Sequence, residues 1–176
     1  MTKIFLRSLQ LEDLGELVEF ETINRSWFER HIDPRPAQFY SMVGVRAHIN
    51  ALLDAYTKGT FHACVLVNDS GVIVGRANLK DIQQELGIAE IGYRIGQRSV
   101  GQGYATLALA ALIALARQQW QLRQLIAYVT ENNLASARVL QKQGFVRTER
   151  VPNIAVVAGV SVDGYLYSLD LTQNSI

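Results

Sequence analysis

The sequence predicts a mixed α/β fold: a mostly antiparallel sheet of about seven strands with a parallel pair inside it, flanked by helices. Three observations predict it. Phe61–Val67 and Val72–Leu79 are apolar runs joined by Asn68-Asp69-Ser70-Gly71, a strong hairpin signal. From Ile88 to Gly144 the pattern reads strand, helix, strand, helix, the order that lays two strands side by side and parallel. Phe145–Val151 and Val160–Leu171 then alternate as a closing antiparallel pair does.

Taken in chain order, Lys3 to Leu9 alternates apolar and polar like a half-exposed strand, and Leu11, Leu14, Leu17 and Val18 recur at helical spacing. Asp33-Pro34-Arg35-Pro36 stops any helix and forces an extended segment. Ala37 to Lys58 is helical again, with Gly59 as its C-terminal cap. The strand Ile88–Ile95 puts Tyr93 and Ile95 on one face and Glu90 and Arg94 on the other. A helix follows to about Gln119, then the short buried strand Leu125–Val129, then a helix from Asn133 to Gly144. No repeat, linker or low-complexity segment interrupts the chain, so residues 1–176 are expected to form one domain around a core of ordinary size.

Composition narrows the function. Seventeen Lys and Arg against sixteen Asp and Glu argue against a general nucleic-acid or membrane-surface role. The only cysteine, Cys64, sits in an apolar strand and reads as a buried thiol, which leaves no intrachain disulfide and no cysteine-based metal site. His31 has no partner at ligand spacing, so no metal is expected. Met1-Thr2-Lys3-Ile4 carries no signal-peptide core, and Tyr104–Ala116 is too short to span a bilayer; a cytoplasmic protein, monomeric or homodimeric, is the expectation.

The richest stretch is Ile88–Ala105, where a strand runs into Arg98-Ser99-Val100-Gly101-Gln102-Gly103 and a helix follows at once. Glycines ahead of a helix let backbone N–H groups approach a ligand, and the helix N-terminus adds a partial positive charge of about half a unit. The unit suits an anion, above all a pyrophosphate. A P-loop requires Lys and Ser/Thr after the last glycine, where Tyr104-Ala105 stands. A dinucleotide fingerprint requires Gly or Ala where Thr106 stands, and an acid near Gln121–Gln124, where none occurs.

Arg98-x-x-Gly101-x-Gly103 resembles the acyl-coenzyme A loop of the GNAT superfamily of N-acetyltransferases. Glu90-Ile91-Gly92-Tyr93 is similar to that superfamily's fourth strand, and Asn133-Leu134-Ala135-Ser136 with Gly144-Phe145 to its Asn-x-x-Ser…Gly-Phe segment. Leu6-Arg7, Asp13-Leu14 and Asp163–Ser168 resemble the RimJ/RimL-like branch, the ribosomal-protein N-terminal acetyltransferases. The resemblance spans the whole chain in order.

It implies acetyl-CoA in a cleft where the two parallel strands splay apart. The pantetheine arm would pair with the backbone of Tyr93, Arg94 and Ile95. The pyrophosphate would take N–H groups from Arg98 to Ala105, hence Gly101, Gln102, Gly103 and Tyr104, with Arg98 either adding a charged hydrogen bond or standing as a solvated loop arginine. Asn133 would meet the cofactor or hold the splay, or serve only as a helix N-cap. Arg138 and Lys142 share a helix face that either meets the 3′-phosphate or is simply solvated. Glu90 would be the base for the incoming amine, or a carboxylate paired with an arginine; Ser136 would reach the departing sulfur, or only hydrogen-bond at the helix N-terminus, with Tyr104, Tyr128 and Tyr165 as competing donors that otherwise serve the structure. On the acceptor side, Trp27, Phe28 and Asn78 would line the pocket, Trp27 and Phe28 alternatively plugging the core.

The acceptor the resemblance implies is a protein N-terminus, of ribosomal-protein alanine or serine type. The alternatives are a small amine (an amino sugar, antibiotic or polyamine) and a non-catalytic CoA sensor. An α-amine titrates at about 7.7–8.0 against about 10.4 for lysine, so roughly a tenth of α-amines are neutral at pH 7. An α-amine therefore asks little of its base.

Overall fold

The computed structural model describes residues 3–172, so Met1 and Thr2, on which the targeting expectation partly rests, lie outside it. Seven strands, β1 (Ile4–Ser8), β2 (His62–Asn68), β3 (Ile73–Gln83), β4 (Ile88–Ile95), β5 (Gln124–Thr130), β6 (Val146–Val157) and β7 (Val160–Asp170), form one sheet. Its order is β1-β2-β3-β4-β5-β7-β6, antiparallel except for β4 beside β5. Five α-helices accompany it: α1 (Leu14–Ile23), α2 (Arg25–Phe28), α3 (Met42–Thr57), α4 (Tyr104–Gln118) and α5 (Leu134–Lys142).

Each face of the sheet has its own core. Leu66, Leu79 and Leu125 pack with Leu109 and Leu112 of α4 and Leu140 of α5 on one side. Val65 and Val67 pack with Leu17 and Phe20 of α1 and Val45 and Ile49 of α3 on the other. Strand β2 is therefore buried on both faces, which explains its unbroken apolar run. Cys64 lies within it, its thiol pushed up to about 12 by burial, as a core cysteine should be. His62, also buried, accepts from Trp120 Nε1 at Nδ1 (2.9 Å), so its proton sits on Nε2 and is donated to Ser8 Oγ (2.8 Å).

Four boundaries differ from the sequence reading. The helix expected over 37–58 is interrupted: Ala37–Tyr40 is a 3₁₀ turn, and α3 begins after Ser41, whose Oγ accepts from the Gly44 N–H (3.0 Å). Strand β3 runs past Leu79 to Gln83, with its register shifting around Asp81 at φ 47°. Strand β6 continues past Val151 to Val157 through a register shift that includes Asn153 at φ 54°. Segment 24–31, to which the sequence reading assigns no element, contains a helical turn, α2.

The register at the centre of the sheet positions the site. Parallel pairing of β4 with β5 covers Ile88–Gln124, Ala89–Leu125 and Glu90–Ile126, and stops there. Beyond it β4 stays paired to β3 as far as Ile95, and β5 to β7 as far as Thr130. Each strand thus remains satisfied on its outer edge while the inner edges diverge. Residues 91–95 have no strand partner on the β5 side. Among the described residues no helix is long and apolar enough to cross a membrane, and no group of three His, Cys, Asp or Glu is placed to hold a metal ion.

Candidate active site

After β4 the chain makes a 3₁₀ turn over Gln97–Ser99 and passes through Gly101 and Gly103, both at φ 79°, into α4. That left-handed conformation is open to glycine at little cost. A Cβ built at either glycine would meet no protein atom within 4 Å, so open space stands in front of this turn. The first-turn N–H groups of α4 have no intrahelical partners, and no acidic side chain lies among them. The turn is an unobstructed cradle for an anion. Arg98 is exposed and its guanidinium has no protein partner among the described residues. The Gln102 side chain closes the turn, Nε2 donating to the Arg98 carbonyl (3.1 Å), while its backbone N–H stays free for a ligand.

The gap between β4 and β5 is bordered by α5. Asn133 is the N-cap of that helix, Oδ1 accepting from the Ser136 N–H (3.1 Å). The Ser136 hydroxyl has no partner among the described residues, while its carbonyl accepts from Tyr93 Oη at 3.5 Å. Tyr93 thus ties β4 to α5, and burial raises its pKa. Tyr104 packs partly against the main core. Ile95 offers less backbone than expected, because its carbonyl already accepts from Trp27 Nε1 (3.2 Å).

The opposite face of β3 and β4 carries the polar residues. Glu90 sits at the last parallel pair, where the strands part, and its carboxylate is held by Lys80 Nζ at 2.5 Å. The expected alternative, a paired carboxylate, is therefore real, with lysine rather than arginine as partner. Asn78, opposite Gly92 in register, has its Oδ1 buried without a hydrogen-bond partner. Tyr128 is exposed on the same face of β5, two residues beyond Ile126.

Arg94 does not turn its side chain toward the cofactor side. It lies over the Phe28 ring (4.7 Å to the centroid) and ion-pairs with Glu21, a residue the sequence reading missed. Glu21 is 1% exposed and also accepts from Arg76 Nη1 (2.7 Å). The coulombic pull of Arg94 and Arg76, with the Arg76 hydrogen bond, outweighs desolvation and lowers its pKa. Phe28 is buried and packs on Phe20 (5.6 Å), so it plugs the second core while its face braces Arg94; Trp27 is half-buried at the end of β4.

Arg76 Nη2 donates to His48 Nε2 (3.1 Å), which must therefore be unprotonated. Burial, and then the charges of Arg76 and Arg35, push the His48 pKa down to about 4. Between that value and the unfolded value of about 6.5, the unfolded chain binds the extra proton. Folding stability is thus expected to fall as the pH drops from 6.5 toward 4, and in His48→Gln that slope becomes shallower. Denaturant melts of both proteins at pH 7 and pH 5 check this; identical pH slopes contradict it.

The sequence profile of the acetyltransferase (GNAT) domain matches residues 3–146. The chain belongs to the GNAT acetyltransferase family. Among GNAT relatives, the probable N-acetyltransferase YjcK of Bacillus subtilis is 28% identical over 144 residues, 81% of this chain and 80% of its own. A ribosomal-protein-S5-alanine acetyltransferase from Vibrio fischeri superposes at TM-score 0.90 with 19% identity, covering 97% of this chain and 96% of that one. A spermidine N-acetyltransferase from Vibrio cholerae, crystallised with CoA and spermine, superposes at TM-score 0.81 with 16% identity over 96% of both chains. These two structural likenesses establish the GNAT fold and leave the acceptor open.

Proposed function

We propose that this GNAT enzyme transfers the acetyl group of acetyl-CoA to the N-terminal amine of a protein. One observation carries the reading. The inner edge of β4 is unpaired from Ile91 to Ile95, between a carboxylate at Glu90 and an open glycine turn at 101–103. Five residues of strand edge span about 16 Å, room for an extended pantetheine arm to add like a strand. The α4 N-terminus and Arg98 would hold the diphosphate, with Asn133 bordering the gap.

The amine enters from the Glu90 face. Glu90, paired with Lys80, takes the ammonium proton directly or through water. The neutral amine attacks the thioester carbonyl, the C–S bond breaks, and the proton shed by the attacking nitrogen passes through the Ser136 hydroxyl to the leaving sulfur, giving the amide and the free CoA thiol. The buried, unpartnered Oδ1 of Asn78 accepts an N–H from the acceptor. An α-amine, about a tenth neutral at pH 7, asks less of this base than a lysine does. Three arginines near the amine face disfavour a polycationic acceptor, although a structural neighbour of the same fold is a spermidine enzyme.

Thiol release from acetyl-CoA across peptides with free N-termini and a panel of small amines tests the reading. Turnover confined to peptides supports it; turnover with small amines alone contradicts it. Glu90→Gln is expected to lower kcat about 10²–10⁴-fold with little change in acetyl-CoA affinity. Unchanged kcat removes Glu90 from the reaction.

A further inference from the structure

The amine-side face carries more positive charge than acyl transfer uses. Arg35, Arg76 and Arg94 share one carboxylate, that of Glu21, while His48 is neutral: three cations against one anion leave two positive charges. Of the neighbouring charges, Arg25 is matched by Glu29 at 2.8 Å, and the Asp33 carboxylate, which accepts the Gly159 N–H (3.4 Å), forms no ion pair with Arg35. Arg35 has no hydrogen bond or ion pair among the described residues; it lies over the Phe39 ring at 4.2 Å. Arg94 is braced in the same way on Phe28 and keeps 20% of its side chain exposed. Arg76 Nε is buried without a partner. Half-buried cations with unused donors, rigidly held, match the planar fork geometry of a carboxylate.

Distance identifies where that carboxylate is carried. Arg94 lies four residues beyond Glu90 on the same face of β4, about 13 Å along the strand. The α-carboxylate of a free amino acid sits only about 3 Å from its own amine and cannot cover most of that backbone separation. An extended peptide advances about 3.3–3.6 Å per residue, so an acidic side chain at the second to fourth residue can.

Resting on the acyl transfer to a protein N-terminus argued above, we propose that Arg35 and Arg94 select acceptors with an aspartate or glutamate within the first four residues. The test uses peptides with Asp at position two, three or four against their Asn counterparts, with free aspartate as a further arm. The best Asp peptide is expected to exceed its Asn twin by about tenfold in kcat/KM, and Arg35→Gln to cut that ratio below about threefold. Equal rates for Asp and Asn peptides overturn the selection while leaving the transferase reading intact. Free aspartate reacting as well as the peptides overturns the distance argument and with it the proposal. If no peptide is acetylated, the transferase reading fails, and calorimetry of the same peptides on the CoA-loaded protein still decides: tighter binding of the Asp forms upholds the selection, equal affinities overturn it.

Discussion

Glu21→Gln is expected to cost about 3–5 kcal/mol of folding stability, a large share of what a domain of this size has. The side chain is isosteric, so no cavity forms; what disappears is the one anion between Arg76 and Arg94. Arg76 is 3% exposed and cannot escape to water. Its charge, with those of Arg94 and Arg35, would be left buried and uncompensated, and that desolvation penalty dominates the loss. A second substitution separates this account from a packing effect. Adding Arg76→Met removes one stranded cation and should recover part of the loss. Urea melts of the three proteins measure it. A cost under about 1 kcal/mol for Glu21→Gln, or no recovery in the double variant, contradicts the electrostatic reading.

Gly103→Ala should weaken CoA binding by about a hundredfold or more, against a modest cost in stability. The modest cost is backbone: alanine at φ 79° carries roughly 1–2 kcal/mol of strain. The large effect is steric, because the added methyl would stand in the open space before the turn, where a diphosphate must come within hydrogen-bond reach of the α4 N–H groups. Valine at this position adds a β-branch to the same strained backbone, so alanine separates binding from stability more cleanly. Gly71 provides the control. It lies in the β2–β3 turn at φ 83°, and a Cβ there also meets nothing within 4 Å. Gly71→Ala should lose similar stability and keep full CoA affinity. Calorimetric titration with CoA, alongside thermal melts, compares the two variants; parallel behaviour in both measurements refutes a special role for Gly103.

The fold was legible where local pattern and tertiary demand agree. The Asn68–Gly71 hairpin, the two glycines before α4 and the alternation of β7 all write their conformation into short stretches. Strand phase alone put Glu90 and Arg94 on one face of β4, and glycine spacing alone put Gly101 and Gly103 in the turn before α4. The Glu21 cluster was not. Glu21 reads like Glu16 and Glu19, an ordinary acid on an amphipathic helix, and its partners lie 55 and 73 residues away. Only Arg76, a charge inside the apolar run of β3, signals that some buried anion must face it. Asn24 escaped for the same reason. Its Oδ1 accepts the Gln97 N–H (2.8 Å) and its Nδ2 donates to the Phe20 carbonyl (2.9 Å), joining α1 to the end of β4 across the fold. Ser41 is different: Gly44 three residues on completes an N-cap that residue type alone could have suggested.

In the proposed binding mode, main-chain amides before α4 hold the diphosphate while the unpaired edge of β4 takes the pantetheine arm. Calorimetry with CoA and with pantetheine, which lacks the diphosphate, tests it most directly in the wild-type protein. The account predicts that CoA binds at least about a hundredfold tighter, the charge-assisted contacts of the turn being lost with pantetheine. Equal affinities for the two ligands would contradict it.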